Sequence, residues 1–172
     1  MYTNKAFKCA HRLIFVFGNG EKMKRNKSEL NRLIKEVKQD MRIAGVPYDQ
    51  HCPIILSDYR MLKVLGQCIE NYDGNEYYAE CIKINRLFFE SGEEQEIKNT
   101  ICHELIHSFH MCIDTNCGHR GLWKIYAEQM EENYPDKYVI RRLTKTSEQY
   151  TEALKARVTE RRDSIKKKER RM

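Results

Sequence analysis

The sequence has few of the residues and segments that mark fibrous, disordered or membrane-spanning chains. Its 172 residues include only 8 glycines and 3 prolines, a composition that excludes collagen-like and low-complexity chains. The longest uninterrupted apolar run, Leu13 to Phe17, is far shorter than the roughly 20 residues that a membrane-spanning helix needs. That run is also too short for the core of a secretory signal, and no small-residue cleavage site follows it. We therefore expect a cytoplasmic protein with no membrane partner.

The cysteines do not form the pairs that mark secreted proteins. There are seven of them, they show no repeated spacing, and none follows Cys117. An odd and scattered set argues against a disulfide framework, so we expect reduced thiols. Cys112 and Cys117 are close enough in the chain to hold a second metal ion, although loop cysteines are more often packed thiols.

Positive charge is concentrated at the C-terminal end of the chain. Lysine and arginine number 31 against 25 acidic residues, a net charge of +6. From Thr151 to Met172 nine basic residues stand against four acidic ones, so this segment carries +5 and the rest of the chain +1. We divide the chain into an N-terminal segment of residues 1–26, one folded domain of residues 27–146 and a basic tail of residues 147–172. The tail has few apolar residues, which predicts an exposed helix or disorder.

The first helix is predicted over Ser28 to Ala44, where apolar residues recur every three or four positions. Ser28 is the predicted N-cap, and Gly45 is the predicted stop, with Pro47 just beyond it.

Two further helices are predicted in the second half of the chain. Ser91 and Glu94 have the spacing of a capping box, and apolar residues then recur at helical spacing from about Glu93 to about Met111. A third helix begins near Leu122 and ends before Pro135, since proline cannot continue a helix.

Three short segments between the first two helices are predicted strands, because they are rich in β-branched, aromatic and apolar residues. Asp73 and Gly74 form a turn signal between the last two of them, which predicts an antiparallel hairpin. The expected fold is α+β, with the first helix on a small, mainly antiparallel sheet and the other two helices across a cleft. The predicted strands are Pro53–Leu56, Met61–Ile69 and Tyr77–Ile84.

The second predicted helix contains the pentad His103-Glu104-Leu105-Ile106-His107, an H-E-x-x-H pattern. Residues four apart lie on one face of a helix, so His103 and His107 can bind one zinc ion from a rigid support. Glu104 projects beside the pair and can hold and deprotonate a water molecule. The other interpretation is two histidines with ordinary hydrogen bonds, but the amphipathic helix around them favours the metal site.

A zinc site of this kind needs a third protein ligand, and three residues are candidates. His110 lies on roughly the same face, but a straight helix separates it from His103 by about 10 Å, which strains three bonds to one ion. Glu128, on the third helix, has a separation that some glutamate-liganded zinc peptidases use. His119 follows a loop containing Gly118 that can turn the chain back across the pentad, and we rank it first.

Taken in order, these residues resemble the SprT-like zinc metalloproteases, which include the Spartan-type enzymes. The pentad is followed by a loop and by His119-Arg120-Gly121-Leu122-Trp123-Lys124, which is similar to the family's His-Gly-x-x-Trp/Phe-Lys stretch. Upstream, Leu65-Gly66-Gln67-Cys68 resembles the family's Trp-Gly-x-Cys segment. Tyr138-Val139-Ile140-Arg141-Arg142 resembles the end of its protease fold, so the resemblance covers roughly Leu30 to Arg142.

The resemblance implies a zincin-like metalloprotease fold and an endopeptidase that acts on protein or peptide substrates, among them proteins associated with DNA. It implies that His103, His107 and His119 bind Zn²⁺. Glu104 then acts as the general base, taking a proton from the attacking water and passing it to the leaving amine.

The sequence departs from the family pattern at two places. Arg120 stands where a glycine directly follows the third histidine, and Gly121 comes one position later. Many relatives also carry a C-terminal zinc ribbon of paired cysteines, which this sequence lacks after Cys117. The basic tail stands where that ribbon would be.

The basic tail is a candidate for non-specific contact with DNA phosphates. From Thr151 to Met172 the basic residues alternate with acidic ones and no aromatic residue is present for base stacking, which argues against sequence-specific recognition. A solvated tail without a partner is the other interpretation.

The alternative to an enzyme is a non-catalytic SprT-like module that binds DNA or protein and uses zinc structurally. Glu104 favours the enzyme, because a structural zinc site gains nothing from it and is closed by a fourth ligand.

Overall fold

A computed structural model describes residues 25–58, 61, 64–111, 118–140 and 148–169. The described chain contains five helices and three strands, which confirms the predicted α+β class. Residues 1–24, most of the predicted N-terminal segment, lie outside the described residues, as do Cys112 and Cys117. In chain order the elements are α1 (Lys27–Ala44), β1 (Ile54–Leu56), β2 (Gly66–Tyr72), β3 (Tyr77–Ile84), α2 (Arg86–Ser91), α3 (Glu94–Met111), α4 (Leu122–Asn133) and α5 (Glu148–Glu169).

The three strands form a mixed sheet in the order β1-β3-β2. β2 and β3 pair antiparallel from Gly66 opposite Ile84 to Tyr72 opposite Tyr77, which confirms the predicted hairpin. β1 adds a shorter parallel pairing on the other side of β3. The hairpin turn is fixed by the carboxylate of Asp73, which accepts hydrogen bonds from two backbone N–H groups of the turn at 2.8 and 2.9 Å.

β2 begins at Gly66 rather than at Met61, which corrects the predicted strand. The segment before it is held by Asn85 instead of by β3. The Asn85 side-chain amide donates to the carbonyl oxygens of Met61 and Val64, and its backbone N–H donates to Leu65 at 2.8 Å. Carbonyl groups that bind one asparagine in this way are not available to a strand ladder.

The N-cap of α1 is Asn26 and not Ser28 as predicted. The Asn26 side-chain oxygen accepts the backbone N–H of Glu29 at 3.1 Å, which satisfies one of the N–H groups left open at a helix start. The predicted stop is confirmed. Gly45 has a left-handed φ of 71°, and its N–H points back to the carbonyl of Arg42.

Helix α3, rather than α1, covers the sheet. Its buried apolar residues are spread around the helix, so it needs packing partners on more than one side. The sheet lies on one side, and α1 and α4 pack on the others. The expected packing of the first helix on the sheet is therefore wrong. The fully buried apolar residues of α3 are Ile97, Ile101, Cys102, Leu105 and Ile106.

The start of α3 differs from the predicted capping box, because the short helix α2 precedes it. Ser91 ends α2, and its hydroxyl donates to the carbonyl of Leu87 at 2.6 Å. The N–H of Glu93 is accepted instead by the side chain of Glu96 at 3.2 Å. Helix α4 ends at Asn133, in agreement with the predicted third helix.

The described part of the tail forms helix α5, which is anchored at its beginning. Tyr150 is buried, and its ring lies edge-on to Phe88 of α2 with centroids 5.2 Å apart. Most of the helix after this anchor is exposed. Among the described residues, no helix is both long and apolar enough to cross a membrane.

Candidate metal centre

Helix α3 carries two imidazoles of the site on one face. His103 and His107 lie one turn apart, and their Nε2 atoms are separated by 3.2 Å. His107 is 8 % exposed, and His103 is half-buried. Leu105 and Ile106, between the two histidines, are completely buried and fix the rotation of the helix about its axis.

His119 approaches this pair from the loop that leads into α4. Its Nε2 atom lies 3.0 Å from that of His103. Gly121, with a left-handed φ of 56°, turns the chain between His119 and the first residue of α4. The three ligand atoms all lie within 4.8 Å of one another, so the three histidines could hold a metal ion.

Two of the three spacings between the imidazole nitrogens match those around a tetrahedral ion. Nitrogen ligands lie about 2.0–2.1 Å from zinc, which places two tetrahedral ligands about 3.3 Å apart. The Nε2 atoms of His107 and His119 lie 3.2 and 3.0 Å from that of His103, close to this value. Since His119 is exposed, the group is open to solvent on its side.

The two histidines of α3, His103 and His107, are also in the protonation state that a metal ligand requires. Burial lowers the pKa of His103 to about 4, with a further contribution from His119. Burial and the neighbouring imidazoles lower the pKa of His107 to about 3. Both rings are therefore neutral at physiological pH, and each has a nitrogen lone pair to donate.

Trp123 of α4 supports all three rings from one side. It is 2 % exposed, and its centroid lies 4.8 Å from that of His103, 5.3 Å from His107 and 4.5 Å from His119. The first turn of α4 thus fills the space behind the imidazoles with one rigid side chain.

Glu104 lies on the same helix and is held from the sheet side. It is 7 % exposed, and its carboxylate accepts a hydrogen bond from the backbone N–H of Cys68 on β2. Burial raises the pKa of Glu104 to about 7, although the Cys68 hydrogen bond acts in the opposite direction.

The other ring nitrogen of His103 faces a backbone carbonyl. Its Nδ1 atom lies 3.4 Å from the oxygen of Ile140, and the N–H of Ile140 donates to the Glu131 carboxylate at 2.6 Å. A proton on Nδ1, donated to that carbonyl, leaves Nε2 free to bind a metal ion. Glu131 therefore holds the residue that orients His103.

Of the three candidates for the third ligand, the structure brings His119 to the pair. Within the described ranges, His103, His107 and His119 are the group whose donor atoms converge, and His110 and Glu128 are not part of it. The role of each histidine as a ligand stays a prediction. The second metal suggested for Cys112 and Cys117 concerns residues outside the described part of the chain.

The site and the fold together define an α+β domain with a group of histidines that could hold a metal ion. The profile of the SprT-like family matches residues 27–148, most of the chain. The chain therefore belongs to the SprT-like family, which confirms the resemblance noted from its motifs. Comparisons with curated proteins and with solved structures found no match.

The groups that support the site residues could not be predicted from the sequence. The Cys68 amide and the Ile140 carbonyl are backbone groups. Because every residue has such groups, the pattern of side chains does not indicate which of them contact Glu104 and His103. Gly66 did carry a signal, since a glycine in a strand often marks a close approach to another element.

Proposed function

We propose that this protein is a zinc-dependent endopeptidase with a zincin-like core. The observation that carries the proposal is the convergence of the Nε2 atoms of His103, His107 and His119, with the Glu104 carboxylate on the same helix. Membership of the SprT-like family, which is associated with metalloprotease-like domains, supports the same conclusion. Protein or peptide chains are the proposed substrates.

A zinc ion at the three imidazoles would supply Lewis-acid chemistry, which lowers the pKa of water and polarises a peptide carbonyl. Glu104 is the proposed general base. Its burial places its pKa at about 7, and a cation nearby lowers that value and keeps the group a carboxylate. The carboxylate can then accept the proton of the attacking water and deliver it to the leaving amine.

Metal content tests the ligand set. We expect elemental mass spectrometry of the untagged protein, purified without chelators, to find about one zinc ion per chain. His119→Ala should lose that zinc, whereas His110→Ala should keep it. A wild-type protein without zinc would contradict the proposed metal site.

Peptidase activity separates the enzyme from a non-catalytic binding module. We expect Glu104→Gln to retain zinc but to lose at least about 100-fold in the rate of cleavage of an unfolded protein, since general-base catalysis contributes about 10²–10⁴-fold. Equal activity of Glu104→Gln and wild type would contradict the mechanism. A zinc-bound wild type with no cleavage, with or without DNA, would favour the binding module.

Proteins associated with DNA are the proposed substrate class within this function. The proposal is supported by α5, whose last turn carries Lys166, Lys167 and Lys168 on an exposed helix. Non-specific contact with phosphates would concentrate the enzyme on such substrates.

A further inference from the structure

Gly66, the first residue of β2, lies against the face of α3 that carries Glu104. A Cβ atom placed on Gly66 would lie 2.9 Å from both the Cγ and the Oε1 atoms of Glu104. It would also lie 2.7 Å from the Cγ2 atom of Thr100, one turn earlier on α3. Gly66 is not among the described glycines with a left-handed φ. The glycine is therefore needed for space and not for backbone freedom.

Cys68, two residues further along β2, supplies the second contact to the same side chain. β2 is an edge strand of the described sheet, so the N–H groups on its outer side are not taken by a neighbouring strand. The N–H of Cys68 donates to the Glu104 carboxylate instead. One short stretch of strand thus leaves room for the carboxylate and also binds it.

We propose that Gly66 and the backbone N–H of Cys68 are positioning groups for Glu104: Gly66 admits the carboxylate to the strand edge, and Cys68 fixes its orientation. This inference rests on the proposed function, because it assigns an orientation to the proposed general base. Neither group touches the reacting atoms. Their effect is on geometry, and a displacement of about 1 Å at a reacting group can cost about 100-fold in rate.

The competing explanation is that Gly66 serves only the packing of α3 on β2 through Thr100. Two variants separate the explanations. Gly66→Ala introduces both close contacts, whereas Gly66→Ala combined with Thr100→Ser removes the Cγ2 atom and leaves the contact with Glu104. Thr100→Ser also keeps the hydroxyl that donates to the Glu96 carbonyl at 3.0 Å. Gln67→Ala is the matched control, since Gln67 is exposed on the same strand.

The first readout is the hydrogen-exchange rate of the Cys68 amide, measured by NMR on the 172-residue chain. We expect exchange to be at least about 10-fold faster in Gly66→Ala and in Glu104→Ala, and unchanged in Gln67→Ala. An unchanged rate in Glu104→Ala would overturn the assigned hydrogen bond. Should Gly66→Ala fail to fold, the Glu104→Ala measurement decides.

The second readout is steady-state kinetics together with zinc content. In Gly66→Ala we expect kcat to fall about 100-fold, with KM within about twofold and zinc content unchanged. The same loss should persist when Thr100→Ser is added, and Gln67→Ala should have normal kinetics. Recovery of kcat by Thr100→Ser would overturn the role assigned to Gly66. Absence of zinc or of cleavage in the wild type would instead contradict the proposed function, and the amide measurement would still test the contact.

Discussion

Glu131 shows how the site depends on residues that would touch neither metal nor substrate. Its carboxylate holds the N–H of Ile140, whose carbonyl faces Nδ1 of His103. Loss of a group that orients a metal-binding histidine commonly costs about 10–100-fold in metal affinity. We therefore expect Glu131→Ala to raise the Kd for zinc at least about 10-fold, as measured by competition with a chromophoric chelator.

Two variants control this prediction. Glu131→Gln keeps a side-chain oxygen that can accept the Ile140 N–H, so most of the affinity should return. Glu128→Ala removes a carboxylate from the same helix outside the histidine group and should leave the Kd unchanged. Equal affinity of Glu131→Ala and wild type would show that Ile140 is held by other contacts.

The side chains of the candidate site were more predictable than the groups that hold them. His103 and His107 follow from helical spacing, and His119 was the preferred third ligand because a loop with Gly118 can turn back across the helix. The contacts from Cys68 and Ile140 join elements distant in the chain and depend on how those elements pack. No local pattern encodes that packing.

At the scale of whole elements, the true start of α1 can be tested directly. Asn26 caps the helix through its side chain, whereas Ser28 is exposed inside the first turn. Replacing an N-cap side chain by alanine typically lowers the free energy of unfolding by about 1 kcal/mol. We expect this loss for Asn26→Ala in urea denaturation and less than about half of it for Ser28→Ala. The reverse order would restore Ser28 as the cap.

Helices α1, α3 and α4 were predictable from the sequence, because their apolar spacing continues over several turns. Helix α2 was not predictable, because its six residues are too few to show a helical period. Asn85 is the physical reason for two of the errors. Its side chain caps α2 by accepting the N–H of Phe88 at 3.0 Å. The same side chain donates to the carbonyls of Met61 and Val64, in the segment where the predicted strand does not pair with β3.

At the scale of the whole molecule, the basic end of α5 allows a quantitative prediction of how DNA binding depends on salt concentration. Each phosphate contact contributes about 0.9 to the slope of the logarithm of the DNA association constant against the logarithm of salt concentration. If the three consecutive lysines each neutralise one phosphate, their removal makes this slope shallower by about 2.7. We expect this change when Lys166, Lys167 and Lys168 are all replaced by glutamine. Fluorescence anisotropy with a labelled duplex at several salt concentrations measures it.

The control removes three exposed positive charges elsewhere. Replacing Lys27, Lys35 and Arg42 of α1 by glutamine changes the net charge equally, and these side chains are also exposed. Both triple variants keep the contact between Tyr150 and Phe88 that anchors α5. Equal slopes for the two variants would mean that only net charge matters and that α5 is a solvated helix.

The segment before residue 141 is bound by three different helices. Asp40 of α1 accepts the Tyr138 hydroxyl at 2.7 Å, Asn99 of α3 accepts the Val139 N–H at 3.5 Å, and Glu131 of α4 holds Ile140.

The histidine cluster is consequently coupled to the folding equilibrium of the domain. An ion that binds only the native state adds RT ln(1 + [L]/Kd) to its stability, about 2.7 kcal/mol at a free concentration 100 times the Kd. Three helices bind the segment that orients His103, so unfolding of any one of them would lower the affinity of the site for a metal ion. If the histidines bind a metal ion, the free energy of unfolding therefore depends on the free metal concentration, and a chelator lowers it as a denaturant does.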